Sequence, residues 1–135
     1  AASNSKWLLL GRAGDAYANQ FAEQLKQNPG NGRFVLLPHQ KRADLNAFYN
    51  AADMALFTKP AISIIEAMGT GLPVFLPETK SLSHLIRESD QGQFFRELSS
   101  LKIESTIATN RKELAVKNAD LFSWKKQAEL LIRSL

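Results

Sequence analysis

The stretch from Phe57 to Leu76, FTKPAISIIEAMGTGLPVFL, gathers residue types that can hold an anion and a sugar. A strand ending at Phe57 and a Thr58-Lys59-Pro60 turn lead into a helix predicted to start near Ala61. Pro60 suits the first helical position, where its missing N–H costs nothing. The backbone N–H groups of Ala61, Ile62 and Ser63 then have no intrahelical acceptor. With their small neighbours and Lys59 they form a site for phosphate or diphosphate. Glu66 follows a turn later, among the apolar Ile62, Ile65 and Met68. A carboxylate there can accept both hydroxyls of a ribose, each charge-assisted bond contributing roughly 1.5–3 kcal/mol. Diphosphate on the helix end and ribose on the carboxylate together describe a nucleoside diphosphate. The same residues read equally well as a solvated Lys59 and an exposed or helix-dipole carboxylate at Glu66.

Other chemistries are excluded or weak. There is no cysteine, so disulfides, thiolate nucleophiles and Cys-type zinc sites are ruled out. The only two histidines, His39 and His84, are far apart in the chain, and no metal or cofactor is expected. Gly11–Asp15, GRAGD, lacks the full dinucleotide fingerprint, and there is no Walker motif. Lys+Arg 17 against Asp+Glu 13 gives +4, a mildly basic balance. Its charges are scattered in pairs such as Lys41-Arg42, Arg111-Lys112 and Lys125-Lys126, the usual form of solvated faces. No nucleic-acid partner is expected. Glu78 and His84 read as solvated, and Trp7 and Trp124 as packing residues.

The elements that must position these groups alternate. Lys6–Gly11, Arg33–Leu37, Asp53–Phe57 and Pro73–Leu76 are short apolar runs predicted as strands, with a weaker one at Gln93–Phe95. Between them lie helical patterns. The first starts at the Gly14-Asp15 cap and stops at Asn28-Pro29-Gly30; the second starts near Arg42. The third is marked by Ile62, Ile65 and Met68 and closed by Gly71 with Pro73 beyond it, and a short one carries Leu82, Leu85 and Ile86. The C-terminal part is helical through Ile107, Ala108, Leu114, Ala115 and Leu121, then Trp124, Ala128, Leu131 and Leu135 after the cap Ser123. At 135 residues, 44% hydrophobic and 22% charged, the chain suits one domain, with residues 1–5 a tag or frayed terminus. Strands apolar on both faces predict an α/β, Rossmann-like three-layer domain: a mainly parallel sheet with helices on both faces. Ligands of such sheets bind beyond the carboxyl ends of the strands, here the loops Gly11–Asp15, Pro38–Arg42, Thr58–Ser63 and Pro77–Leu82.

The run Leu45-Asn46-Ala47-Phe48-Tyr49-Asn50-Ala51-Ala52-Asp53, followed by IIEAMGTGLPVF, resembles the C-terminal, nucleotide-sugar donor domain of GT-B glycosyltransferases. The likeness is to the glycogen-synthase-like retaining group, of the group 1 or family 4 type. It covers nearly the whole chain: Lys6–Gly14 is similar to the preceding strand and glycine turn, Gly92-Gln93-Phe94 to a later glycine element, and Phe122-Ser123-Trp124 to the family's "fsW". The resemblance implies that Glu66 is the second glutamate of a Glu-x7-Glu motif and holds the donor ribose. It implies that the amides of Ala61, Ile62 and Ser63 meet the donor diphosphate, and that Leu37-Pro38-His39 and Leu45 lie beside the base. On the residues themselves, His39 reads first as a solvated loop residue.

Position 58, eight before Glu66, is threonine rather than the glutamate that contacts the transferred sugar, and Lys59-Pro60-Ala61 replaces the family's GFG. TKPAISIIEA is instead similar to the TKPGGxTxxEA of inverting, MurG-like lipid-acceptor enzymes, one residue short. Both groups share the fold and the donor side; no catalytic residue is assigned. The N-terminal acceptor domain of a complete enzyme has no counterpart before Lys6. The resemblance therefore implies the donor part of a larger hexosyltransferase acting on a glycan or lipid acceptor, with a UDP- or GDP-linked sugar as ligand and no turnover by the isolated chain. The alternatives are a non-catalytic nucleotide-binding module and part of an inverting lipid-acceptor enzyme. A cytoplasmic location is implied, with the inner face of the membrane as a candidate contact for Lys125, Lys126 and Arg133; a solvated helix face is the default reading of those cations.

Overall fold

A computed structural model describes residues 6–10, 16–27, 33–100 and 110–134. The element order is β1 (Trp7–Leu10), α1 (Ala16–Gln27), β2 (Phe34–Leu37), α2 (Arg42–Ala51), β3 (Ala55–Leu56), α3 (Ser63–Gly69), β4 (Val74–Pro77), β5 (Gly92–Phe95), α4 (Arg111–Phe122) and α5 (Trp124–Ser134). The chain is an α/β protein, and among the described residues its strand pairs are all parallel. It divides into two compact units, Ala1–Leu45 and Asn46–Leu135, with α2 running across the boundary. The Gly14-Asp15 cap, the stop at Asn28–Gly30 and the helical reading of Ile107 and Ala108 lie outside the described residues, as do the loop Gly11–Asp15, Leu135 and residues 1–5.

In the first unit β1 pairs with β2 from Trp7–Phe34 through Leu10–Leu37. The expectation of strands buried on both faces does not hold here: Leu8, Leu10 and Val35 are exposed, and β1 alternates as a half-covered strand does.

The second unit contains a three-stranded sheet in the order β3-β4-β5. Ala55 pairs with Val74, and Val74–Pro77 pairs along its length with Gly92–Phe95. Its central strand is the apolar run that pattern reading identifies, with Val74, Phe75 and Leu76 fully buried. Gly92 opens β5 at φ +145°, where a Cβ would fall 1.8 Å from the carbonyl oxygen of Val74, so no side chain fits.

Two polar assemblies hold α4, one to α3 and the turn before β5 and the other to the end of α2. Gln91 and Asn118 are completely buried: Gln91 Nε2 donates to Asn118 Oδ1 at 2.8 Å, and Asn118 Nδ2 donates to the Met68 carbonyl at 2.7 Å. Gln91 Oε1 accepts from the Arg87 and Glu88 amides, so both side chains are satisfied. Arg111, expected in a solvated pair, is half-buried and forks onto the end of α2. Its Nη1 donates to the carbonyls of Asn50 and Ala52 at 2.9 and 2.8 Å, and its Nη2 to that of Tyr49 at 2.7 Å. Those are carbonyls a helix C-terminus leaves without partners.

Leu82 to Ile86 form turns rather than a short helix, bonded from Leu82 N to Thr79 O and from Leu85 N to Leu82 O. The hydroxyls of Thr79, Ser81 and Ser83 bond locally and compete with a helical ladder. Asn110 caps α4, its side chain accepting from the Glu113 amide, and Ser123 accepts from Lys126 N at the predicted start of α5. Trp124, expected to pack, is 90% exposed.

Candidate functional site

The segment with the most chemistry lies where the sheet topology directs attention, beyond the carboxyl end of β3. Phe57 N donates to Phe75 O at 3.0 Å, ending the pairing, and Thr58, Lys59, Pro60, Ala61 and Ile62 follow in an exposed loop. α3 begins at Ser63, two residues later than the expected start near Ala61. The reason is local: Ile62 occupies the cap position in αR geometry with no side-chain cap, and Ile64 N and Ile65 N bond three residues back, to Ala61 and Ile62. Pro60 thus precedes the helix instead of opening it. The amides of Ala61, Ile62 and Ser63 still come before the first hydrogen-bonded turn.

Of the expected apolar set of α3, Ile62, Ile65 and Met68, only Met68 lies on the buried face. Ile64, Ala67 and Met68 are fully buried, whereas Ile62 is 81% exposed and Ile65 is exposed too. Both sets have helical spacing in ISIIEAMG; the small Ala67 suits close packing, and Asn118 of α4 bonds to Met68 O. Gly71 closes the helix as expected: its φ is +78°, its amide donates to Met68 O at 3.0 Å, and a Cβ would clash with the Arg111 carbonyl.

With that face inward, Ser63 and Glu66 stand together on another side at i,i+3 spacing, both half-buried. Tyr49 of α2, which is buried, lies near both. Burial pushes the Tyr49 hydroxyl above its usual range, a hydrogen bond with the Ser63 side chain works against the shift, and the nearby charge of Glu66 adds to it. Tyr49, with Leu45, Phe48 and Ala52, marks the helical apolar pattern of α2 in the sequence, and that pattern signals its burial but not its nearness to Ser63 and Glu66.

The remaining site candidates are distributed as follows. Thr58 and Lys59 are exposed in the loop before α3. Pro38 and His39 are exposed after β2, with Gln40 Nε2 donating to the Pro38 carbonyl at 2.6 Å, and Leu45 is half-buried on α2; these three belong to the first unit. Glu78, after β4, accepts from Arg96 Nε at 2.5 Å, and that contact holds its carboxyl below the usual carboxylate range. A shallow open depression lies at the other end of α3, lined by Asn46, Asn50, Gly69, Thr70, Arg111 and Lys112; Arg111 is committed there to carbonyls. Among the described residues no helix is long and apolar enough to cross a membrane.

Neither a scan against protein-family models nor a search of curated proteins finds a match for this chain.

Proposed function

We propose that this chain is the donor-binding part of a glycosyltransferase, holding a nucleoside-diphosphate sugar whose hexose passes to a glycan or lipid acceptor. In this reading the sheet and helices form the three-layer, Rossmann-like C-terminal half of a GT-B enzyme. The amides of Ala61–Ser63 and Lys59 receive the diphosphate, and Glu66 accepts the ribose hydroxyls. Stabilising the diphosphate as it leaves is the catalytic contribution such a site makes.

The observation that carries the reading is the side-by-side setting of Ser63 and Glu66 against Tyr49, one turn behind an exposed loop at the carboxyl end of a parallel strand. The sequence likeness supports it independently. Thr58 in place of a glutamate favours a second reading, in which the domain binds the nucleotide without reading the sugar.

Titration calorimetry with UDP, GDP and ADP, alone and sugar-linked, tests both. The expected result is a preference for one diphosphate that weakens by roughly 1.5–3 kcal/mol in Glu66→Gln, about one charged hydrogen bond. Added affinity from one sugar favours the first reading, and its absence the second. Binding that is indifferent to Glu66→Gln would remove the ribose assignment.

A further inference from the structure

A diphosphate-linked sugar carries a negative charge on each phosphate, whereas the charges of Lys59 and Glu66 cancel. The seven residues of α3 add little dipole to make up the difference. A cation for the second phosphate has to stand beyond the carboxyl end of the same sheet.

β4 carries one there. It pairs in parallel with β3, so both strands leave the sheet at one edge. Pairing with β3 ends where Phe57 N meets Phe75 O, and β4 runs on to Pro77. At about 3.3 Å per residue along a strand and about 4.8 Å between strands, the two exits stand about 8 Å apart. Lys59 follows the first exit and Lys80 the second. Two flexible four-carbon stems can close such a gap around a diphosphate.

The turn that carries Lys80 is fixed from below and within. Leu82 and Leu85 are buried, Leu82 N donates to Thr79 O at 3.1 Å, and Ser83 Oγ donates to Lys80 O at 3.0 Å. The Lys80 side chain is exposed and makes no ion pair among the described residues. Neighbouring cations are engaged or lie elsewhere. Arg96, after β5, is held by Glu78 at 2.5 Å. Arg87 stands at the opposite edge, before β5, with its amide on Gln91 Oε1. Arg111 is clamped to carbonyls at the far end of α3.

We infer that Lys80 binds the second phosphate of the ligand, so that Lys59 and Lys80, on neighbouring strand exits, select a diphosphate over a monophosphate. This rests on the nucleotide reading proposed above and brings a second loop, the one after β4, into the site.

Titration calorimetry of the 135-residue chain with UDP, GDP and ADP beside UMP, GMP and AMP tests it. At an ionic strength of about 0.01 M, Lys80→Gln should weaken the preferred diphosphate about fivefold and leave its monophosphate unchanged; at about 1 M the effect should vanish. Glu66→Gln should weaken both nucleotides alike, because the ribose is common to them. Thermal melting of Lys80→Gln should match wild type, since the side chain is exposed. Equal weakening of diphosphate and monophosphate in Lys80→Gln, or no weakening of either, would overturn the second-phosphate role while the nucleotide reading stands. If none of the six nucleotides binds the wild-type chain, both fall together.

Discussion

Replacing Arg111 by alanine should destabilise the second unit far more than its place in a surface-like Arg-Lys pair indicates. The guanidinium makes three bonds of 2.7–2.9 Å to the carbonyls of Tyr49, Asn50 and Ala52. Charged hydrogen bonds contribute roughly 1.5–3 kcal/mol each, which gives an upper range of about 4.5–9 kcal/mol for three. Arg111 is half-buried, water can replace it at the exposed Asn50, and bonds from one group are not additive. A loss of about 2–4 kcal/mol remains. For a unit of 60–100 residues each kcal/mol lowers Tm by about 4–8 °C, so a fall of at least about 8 °C is expected. Urea unfolding followed by far-UV circular dichroism should show a lower midpoint at an unchanged m-value. Arg111→Lys should recover less than half of the loss, because an ammonium cannot span three carbonyls with a planar fork. A loss under about 0.5 kcal/mol in Arg111→Ala, or full stability in Arg111→Lys, would refute the clamp.

Two further stability predictions follow from buried polar groups. Asn118→Leu strands the Gln91 amide in a dry setting and leaves the Met68 carbonyl only its bond from the Gly71 amide, so about 1–3 kcal/mol should be lost in denaturant titration, the cost of one orphaned group. Tyr49 is held neutral by burial, with its pKa raised above 10.0, so the folded state retains a proton that the unfolded state releases. Its contribution to stability is therefore fully present below about pH 10 and is lost as pH rises through the raised value; melting at pH 9–11 should fall less steeply in Tyr49→Phe than in wild type.

The strands and most helices were legible because their signals are local. PVFL reads as buried, and β4 is buried; Gly71 with Pro73 reads as a helix stop, and Gly71 takes φ +78°. The loop beyond β3 was equally legible, since a strand followed by a short turn and a helix defines it. What could not be read was rotation and partnership. ISIIEAMG offers two apolar faces at helical spacing, and the choice of Ile64, Ala67 and Met68 is made with α4, some fifty residues downstream. Arg111 looks like any surface arginine until the carbonyls of α2 are brought to it. Trp124, Leu131 and Ile132 carry the pattern of a core face, and nothing in their spacing says that the face points outward.

That dependence on α4 bears directly on the candidate site. Turning α3 by one residue would swing Glu66 through about 100°, away from Tyr49. What prevents this is a set of residues with no chemistry of their own: Ile64, Ala67 and Met68 in the core, Asn118 on the Met68 carbonyl, and Gly71 pressed against the Arg111 backbone. The C-terminal end of α3 is thereby closed, with Thr70 Oγ1 also donating to Ala67 O at 2.7 Å. Its N-terminal end has no side-chain cap and leads from the exposed Thr58–Ile62 loop. A helix of seven residues adds little macrodipole beyond its own first turn, so anion affinity there must come from the few local amides and from lysine side chains. In the reading proposed above, discrimination between a bare diphosphate and a nucleoside diphosphate would rest on Glu66, and through its orientation on the α3–α4 contact.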